Sequence, residues 1–418
     1  MKVIHLNESD GGGAGRAAHR LVRAQHAEGI DAQLWVIAAS TRDPLVIACG
    51  HPGTVTAWRD RVQHSLSRRL TGRLKTTNQV IHTPALWRSD WPERINASDA
   101  DLVNLHWISN KMLSIRDIAR IRKPIVWTLH DMWAFCGAEH LASDFRWRNG
   151  YQRDNRPDYE GGFDLNRWTW QRKRRHWKAP FHIVTPSNWL SNCVRQSVLM
   201  GDWPVRAVPN CLDLQQWQPI DKAQARALLG LPLDAPLVLF GALGGDRARH
   251  KGFDLLLDAL RHLQHEAKGL NLVVFGQRAP AQPPDLGLPI HYTGHLQDDL
   301  SLRAVYSSAD ALVIPSRQDN LPNTGVEAHS CGTPVVAFRT GGLADIVEHR
   351  RTGYLAKPFV TRDLADGIAW VMGQRESGAL PRNARQRATD CFSESVVVRQ
   401  YLDVYRAAIA DQQRARKI

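Results

Sequence analysis

The sequence has few cysteines and no long apolar run. Its six cysteines are scattered, and no two of them form a C-x-x-C pair. This pattern argues against a zinc cage or a disulfide framework and fits a reducing compartment such as the cytoplasm. No stretch approaches the roughly 18 apolar residues that a membrane-spanning helix needs. The N-terminus MKVIHLNESDGG has only a short apolar segment, so we expect a first strand there rather than a secretory signal.

Acidic residues are far fewer than basic residues in the first half of the chain. Residues 1–210 carry 30 Lys and Arg against 19 Asp and Glu, whereas residues 211–418 carry 24 against 22. The first half also holds 13 of the 15 Trp residues. Trp together with Arg is typical of surfaces that meet lipid headgroups or nucleic acid. Composition alone does not choose between these two partners.

Short β-branched runs alternate with segments of helical period along the whole chain, from MKVIHL and PIVWTLH to PLVLFGAL and ALVIPS. Such alternation predicts parallel sheets joined by helices, and 418 residues exceed one comfortable core. We therefore expect an α/β protein of two doubly wound, Rossmann-like domains, 1–208 and 209–390, with the punctuated stretch VPNCLDLQQWQPI as the linker. Residues 391–418 predict a terminal helix, for which the first domain is a candidate packing surface.

Two basic segments interrupt this rhythm. Trp58–Lys75 predicts a basic amphipathic helix, and Arg167–Lys178 (RWTWQRKRRHWK) has six basic residues and three Trp. Solvated helices, attachment to an anionic membrane surface and contact with nucleic acid all remain open, although no nucleic-acid motif accompanies the charge. The residues that we assign to an acceptor or membrane surface are Trp168, Trp170, Arg172, Lys173, Arg174 and Arg175.

Candidate binding residues of the first half follow predicted strands. Glycines 11–13 and 15 precede a helical segment, where backbone can approach a phosphate or sugar, but they do not form the spaced dinucleotide fingerprint and also fit a simple tight turn. His130 and Asp131 come where the strand of PIVWTLH ends, the edge at which open α/β sheets bind ligands. His130 can donate to a sugar hydroxyl, or merely bond a loop carbonyl; His106 ends another strand and is the weaker candidate.

The second half supplies an anion site. Its stretch GALGGDRARHKGFDLLLDAL runs from a strand through a loop with Arg247, Arg249 and Lys251 into an amphipathic helix. Cations and backbone amides meet at one helix start, which suits a diphosphate better than a merely solvated loop.

Two carboxylates stand eight residues apart in DNLPNTGVEAHSCGTPVVAF, namely Asp319 and Glu327. By contrast, the D-x-D at Asp99 and Asp101 directly precedes the strand DLVNLHW, as ordinary loop residues do. We therefore assign no metal site.

These motifs together resemble the retaining glycosyltransferases of family 4, whose GT-B fold has two facing Rossmann-like domains with a cleft between them. The resemblance covers nearly the whole chain, through GGGAGRAA, LHDMW, VTPSNWL, VPNCLDLQQWQP, HKGFDLLLDAL, DNLPNTGVEAHSCGTPVVAF and GGLADIVEHRRTGYLAKP. The combination of NLHWIS, LHDMWAFCG and RWTWQRKRRHW looks most similar to the exopolysaccharide branch, including colanic-acid-type transferases.

The resemblance implies a role for each matching residue. Asp319 and Glu327 occupy the family's E-x7-E pair and would contact the donor sugar and the nucleotide ribose; Lys251 would neutralise the diphosphate, and His130 would lie near the reacting sugar. The remaining residues assigned to donor binding are Gly12, Gly13, Arg247, Arg249, Asn323 and Thr324. Two positions depart from the family: Asp319 is one methylene shorter than Glu, and Ala242 stands where Arg is frequent, so Arg247 or Arg249 would supply the second charge.

The expected activity is metal-independent, retaining transfer of a hexose from UDP- or GDP-hexose to a saccharide hydroxyl, with no cofactor. The acceptor implied is a polyprenyl-diphosphate-linked saccharide of exopolysaccharide or cell-surface glycan synthesis, at the cytoplasmic face of the membrane. The alternatives are a nucleotide-sugar epimerase or hydrolase of the same fold and a basic nucleic-acid-binding protein.

Overall fold

The computed structural model describes residues 1–50, 54–109, 112–241, 249–264, 267–296 and 298–416, and side chains except those of 54–60 and 64. The chain forms two compact units. The first comprises Met1–Val208 and Val398–Ile418, and the second comprises Pro209–Val397. None of the described helices is long and apolar enough to cross a membrane.

The first unit contains a parallel sheet. Its described strands in chain order are β1 (Lys2–Leu6), β2 (Asp31–Val36), β3 (Val46–Ala48), β5 (Leu102–Leu105), β6 (Ile125–Thr128), β8 (His182–Thr185) and β9 (Val205–Ala207), while β4 (Leu74–Thr76) and β7 (Glu160–Gly162) form a separate antiparallel pair. Across the sheet the order is β3-β2-β1-β5-β6-β8-β9, and every neighbouring pair is parallel. The chain therefore reverses its direction of travel across the sheet between β1 and β5, which is the topological switch point.

Helices cover this sheet. They are α1 (Gly12–Ala27), α2 (Thr54–Thr71), α3 (Trp91–Ala97), α4 (Ile115–Ile118), α5 (Arg146–Asn149), α6 (Leu165–His176) and α7 (Asn188–Gln196). Their starts follow local chemistry: the Ser187 side chain accepts from the Leu190 amide at the start of α7, and Ser114 and Asp117 form a capping box at α4. Helix α2 begins and ends four residues before the predicted basic helix Trp58–Lys75, and Leu74 and Lys75 lie in β4 instead.

The second unit repeats the architecture with a shorter sheet. Its described strands are β10 (Leu237–Gly241), β11 (Asn271–Phe275), β12 (Ile290–Gly294), β13 (Ala311–Ile314), β14 (Val335–Phe338) and β15 (Gly353–Ala356). They are all parallel, in the order β12-β11-β10-β13-β14-β15, so the switch point lies between β10 and β13.

The helices of the second unit pack on both faces of this sheet. They are α8 (Lys222–Leu228), α9 (Phe253–Leu263), α10 (Asp299–Ser308), α11 (Asn323–Ser330), α12 (Leu343–Ile346), α13 (Thr361–Gly373) and α14 (Ala379–Phe392), with 3-10 turns at Arg249–Lys251 and Arg375–Ser377. The last helix, α15 (Glu394–Ala415), follows α14 and places Tyr401 and Tyr405 in the core of the first unit. Two Rossmann-like parallel-sheet domains, as the sequence predicts, are confirmed.

Candidate functional site

At the switch point of the second unit, a lysine and a carboxylate form an ion pair. Lys251 ends the 3-10 turn after β10, Asp319 lies in the loop after β13, and Lys251 Nζ is 2.6 Å from Asp319 Oδ2. Both side chains remain partly accessible, at 27% and 15%. The structure thus brings together two of the residues that the sequence singled out, at the sheet edge where such folds bind ligands.

Two glycines, one after the 3-10 turn and one after β14, lie against the backbone of the loop that follows β13. Gly252 has a φ of +72°, and a Cβ there would lie 1.9 Å from the Pro315 carbonyl oxygen. Gly341 has a φ of +54°, and a Cβ there would lie 2.0 Å from the Asp319 carbonyl oxygen. Since a side chain at either position would have to displace backbone, only glycine permits this close approach.

Arg317 is a residue of this region that the sequence reasoning missed. Its guanidinium pairs with both carboxylate oxygens of Asp254 at 2.8 and 2.6 Å, and it donates to the Arg249 carbonyl at 2.9 Å. Its backbone amide donates to the His250 carbonyl at 2.8 Å. Arg317 therefore fastens the loop after β13 to the 3-10 turn that carries Lys251. Its position three residues after a strand is the signal that could have found it.

Helix α11 supplies the remaining predicted residues of this unit. Asn323 and Thr324 lie in its first turn, and the Asn323 side chain accepts from Asn210 Nδ2 at 3.0 Å. Glu327 is only 4% exposed, and its Oε2 accepts from the Tyr306 hydroxyl at 2.9 Å. The second carboxylate is thus more enclosed than Asp319. Arg247 and Ala242 lie outside the described residues.

Beside this region a cavity of about 1010 Å³ opens at the carboxyl ends of β10, β11 and β12. Arg249 and Phe253 line one wall, and Gly276, Gln277 and His295 line another. Its volume suits a ligand the size of a nucleotide.

In the first unit, Gly12 and Gly13 lie in the first turn of α1 rather than in a loop before the helix. Gly12 has a φ of +68°, and a Cβ built at either glycine meets nothing within 4 Å. By contrast, a Cβ at Gly15 would lie 2.6 Å from the Ser9 carbonyl oxygen. The first two glycines therefore leave open space beside a helix N-terminus, and Gly15 serves packing.

His130 follows β6 and belongs to a chain of contacting histidine side chains, in which His5 and His106 are buried and His130 is half-buried. Its Nε2 lies 3.0 Å from His106 Nδ1, and His106 Nε2 lies 2.9 Å from His5 Nδ1. Burial lowers the pKa of His5 and of His130 to about 4 and lowers that of His106 well below its ordinary value. All three rings are therefore neutral near pH 7.

Asp131, the residue after His130, has a structural role. Its carboxylate accepts from His140 Nδ1 at 2.6 Å, from Trp107 Nε1 at 2.8 Å and from the Trp133 amide at 2.9 Å. These bonds fix the loop that follows β6 and hence the position of His130.

The prediction that Lys173 and Trp170 lie on an acceptor or membrane surface is wrong, because both side chains are buried. Lys173 is 0% exposed; its Nζ donates to the carbonyls of Trp133, Cys136 and Gly137 and lies 3.9 Å from the Trp133 ring centroid. Burial lowers its pKa to about 7. Arg172 is half-buried and donates to two carbonyls, whereas Arg174 and Arg175 are exposed and Trp168 is intermediate.

Comparison with known proteins finds similarity to glycosyltransferases in both halves of the chain. Residues 11–216 match the model of "Glycosyltransferase Family 4", and residues 236–374 match that of "Glycosyl transferases group 1". D-inositol 3-phosphate glycosyltransferases of Saccharomonospora viridis and Mycobacteroides abscessus are 36% and 33% identical over 222 and 211 residues. These matches cover 49% and 48% of this chain and 51% and 46% of the relatives, so the chain spans about half the length of the curated relatives it matches.

Solved structures of similar fold cover almost the whole chain. Sucrose-phosphate synthase from Thermosynechococcus elongatus has a TM-score of 0.66 at 18% identity, covering 98% of this chain and all of that one. Anabaena HepE in complex with UDP-glucose has a TM-score of 0.62 at 15% identity, covering 97% and 100%. These likenesses establish the GT-B fold, and the two family models together match more than four fifths of the sequence. The first half of the chain is thus similar to family 4 glycosyltransferases, and the second half is similar to group 1 glycosyl transferases.

Proposed function

We propose that this protein transfers a hexose from a nucleotide diphosphate sugar to a hydroxyl of an acceptor, with retention of the anomeric configuration. The observation that carries the proposal is the accessible Lys251–Asp319 pair at the switch point of the second unit, beside a cavity of nucleotide size. The solved structure of Anabaena HepE, which shares the fold, contains UDP-glucose.

Lys251 and Arg249 stabilise the negative charge that develops on the departing phosphate. The bond between the anomeric carbon and the phosphate oxygen breaks, and its electron pair leaves with the nucleotide diphosphate. The acceptor oxygen bonds to the anomeric carbon on the same face, and its proton passes to the departing phosphate oxygen. Preorganised cations are most effective where charge appears only in the transition state. They take the role that a metal ion has in other transferases, so we propose that no metal or cofactor is required.

Asp319 has two successive partners in this scheme. In the structure its Oδ2 holds Lys251 at 2.6 Å, and its Oδ1 accepts from the Asn320 amide at 3.1 Å. When the diphosphate binds, Lys251 turns to the phosphate oxygens and the carboxylate accepts from the donor sugar hydroxyls. Glu327 is the proposed partner of the ribose, and Asn323 and Thr324 begin a helix whose amides suit phosphate.

The acceptor that we propose is a lipid-linked saccharide of exopolysaccharide or cell-surface glycan synthesis at the cytoplasmic face of the membrane. The exposed face of α2 supports it, since Val62 and Leu66 are 37% and 43% exposed there beside exposed Arg68 and Arg69. Exposed apolar and basic residues on one helix suit an anionic bilayer surface. The names of the relatives favour a second candidate, a phosphorylated polyol such as inositol 3-phosphate.

The test combines a donor panel with an acceptor panel. A UDP- or GDP-hexose should raise the thermal midpoint of the protein, and the same donor should be consumed only when an acceptor hydroxyl is present. Product from a polyprenyl-diphosphate-linked saccharide but not from inositol 3-phosphate supports the first acceptor, and the converse supports the second. Consumption of the donor without either acceptor would indicate an epimerase or hydrolase. Loss of turnover in EDTA that added Mg²⁺ restores would contradict metal independence.

A further inference from the structure

A further cavity of the second unit lies at the edge of its sheet opposite to Lys251 and Asp319. Its volume is about 520 Å³, and all of its lining residues belong to this unit. Among them are Asp310, which directly precedes β13, and residues 332–334, which precede β14. These residues lie at the amino ends of the strands, whereas Lys251 and Asp319 follow the carboxyl ends of β10 and β13. The cavity is therefore separate from the site described above.

Much of the wall of this cavity is apolar. Its apolar side chains come from three parts of the chain, namely the segment before α8, helix α13 and the start of α14; they are Pro219, Ile220, Val371, Leu380 and Pro381. A volume of this size lies within the range of small-molecule sites, which are mostly lined by apolar side chains. The wall therefore suits the apolar body of a small molecule.

Basic side chains line the same cavity. They are Lys222, Arg375, Arg382 and Arg385. Of the described residues that line the cavity, Asp310 is the only acidic one. A recess with low-dielectric walls and an excess of one sign of charge attracts ligands of the opposite sign. The charge of the cavity thus favours an anion.

Asp310 does not balance this charge, because several cations share it. Its side chain is buried, and its Oδ2 accepts from Arg226 Nη2 at 3.0 Å and from the Leu237 amide at 2.9 Å. Its Oδ1 lies 2.7 Å from Lys222 Nζ and 3.5 Å from Arg375 Nε. The side chains of Lys222 and Arg375 remain 45% and 32% exposed. Since three cations meet one carboxylate, positive charge is left over at the cavity.

Hydrogen bonds hold the walls of the cavity in place. Arg385 donates to the carbonyls of Ser330 and Leu214 at 2.7 and 2.8 Å. The Ile220 amide donates to the Ser307 hydroxyl at 3.1 Å. These bonds join the segment before α8 to α10, α11 and α14. A ligand would therefore enter a recess that the fold already maintains, which reduces the ordering cost of binding.

We propose that this cavity is a binding site for a small organic anion with an apolar body. The apolar body lies against Ile220 and Leu380. The carboxylate, sulfonate or phosphate group of the ligand is bound by Lys222, Arg375 and Arg382. A guanidinium presents paired N–H donors that match two oxygens of such a group. This site does not depend on the transferase proposal, because it lies at the other edge of the sheet.

Fluorescence titration of the full chain with anilinonaphthalene sulfonate tests the site, since this probe carries one sulfonate on an aromatic body. We expect a saturable rise in fluorescence. The matched probe N-phenylnaphthylamine has the same aromatic body without the sulfonate, and it should bind at least about tenfold more weakly, because hydrogen bonds to a charged group are lost. Equal affinity for the two probes would overturn the proposal.

Two arginine variants show where the sulfonate probe binds. Arg375 and Arg382 are both exposed residues, so Arg375→Gln and Arg382→Gln should fold. Each should weaken binding of the sulfonate probe by about threefold to fivefold and leave binding of the neutral probe unchanged. Arg278→Gln is the matched control, because it removes an exposed cation from the larger cavity of this unit, and it should not alter the affinity. Unchanged affinity in the double variant, or weaker binding in Arg278→Gln, would contradict the proposal.

A titration in the presence of UDP separates this site from the proposed function. If UDP raises the thermal midpoint and the sulfonate probe still binds with the same affinity, the two sites are independent, as we expect. Displacement of the probe by UDP would place it in the larger cavity and overturn the proposal. If UDP leaves the thermal midpoint unchanged, the transferase proposal loses support, and the arginine variants still decide whether the smaller cavity binds an anion.

Discussion

The two units share an architecture, but the carboxyl edges of their sheets carry opposite chemistry. In the first unit the edge holds three neutral rings joined to one another, of which His5 and His106 are buried and His130 is half-buried. In the second it holds partly exposed charges, with Lys251 paired to Asp319 and Arg317 paired to Asp254. A parallel sheet fixes where a site lies, and the residues that follow each strand decide what it binds. The neutral edge suits sugar hydroxyls and the charged edge suits a diphosphate.

Removing the charge at the second edge should have the largest effect. We expect Lys251→Ala to lower kcat by about 10²- to 10³-fold, because a cation preorganised for developing phosphate charge contributes about 3–4 kcal/mol. Lys268→Ala, an exposed lysine beyond α9, is the matched control and should keep wild-type turnover. Steady-state kinetics with the cognate donor decide the matter, and a Lys251→Ala enzyme within threefold of wild type would remove Lys251 from the mechanism.

The next largest effect should come from disturbing a close backbone contact at the carboxyl edge of the second sheet. Gly252→Ala places a Cβ against the Pro315 carbonyl at a φ of +72°, so we expect destabilisation of about 3 kcal/mol or more. Gly230→Ala shares the positive φ, +63°, but meets nothing within 4 Å, and should cost about 1 kcal/mol. Urea denaturation followed by tryptophan fluorescence compares the two variants. Equal losses would show that the approach of the two loops is not tight.

Lowering the pH should reduce the stability of the first unit through its neutral histidines. His5 and His130 have folded pKa values of about 4 against 6.5 for the ordinary side chain, so the unfolded chain binds more protons between these limits. Stability from these groups is therefore complete above about pH 6.5 and falls as the pH drops toward 4, by up to about 1.4 kcal/mol per pH unit for each ring. His5→Asn should be less stable at pH 7 but should lose stability less steeply on acidification. If the stability of the variant and of the wild type changes equally with pH, His5 is protonated in the folded protein over this pH range.

The smallest effect on stability is expected at the exposed end of α6. Arg174→Gln and Arg175→Gln together should change the unfolding free energy by less than about 0.5 kcal/mol, because both side chains are exposed. Their removal should nevertheless weaken binding to vesicles that contain anionic lipid, by about 1 kcal/mol per charge. Undiminished vesicle binding would show that α6 takes no part in membrane contact and would leave the transferase proposal intact.

Local pattern was sufficient for much of the fold. Alternating β-branched runs and helical segments predict two parallel-sheet units, and the break at Val208 and Pro209 falls in the stretch whose prolines and asparagine predict a linker. His130, Lys251 and Asp319 are candidates because each follows a predicted strand, and strand ends are readable from period and punctuation.

Composition led to a wrong prediction for α6, because this helix has no clear apolar face. Buried Leu165, Thr169 and Lys173 recur every four residues along α6, so one cation of the RWTWQRKRRHWK run occupies the inward stripe. The count of charges in that run does not say which of them turns inward. The carbonyls that satisfy Lys173 belong to a loop some 40 residues earlier in the chain, and no local pattern identifies them.

The sequence by itself therefore determined the two large parallel sheets, one in each half of the chain, and the strand ends that carry candidate residues, because these follow from short-range period and turn chemistry. Tertiary structure alone decided the order β1-β5-β6, and with it the contact of His5 with His106 and of His106 with His130. It also decided that Asp319 pairs with Lys251, 68 residues away. Which strands become neighbours depends on burying every helix and strand together, so contacts across the sheet are a property of the whole fold.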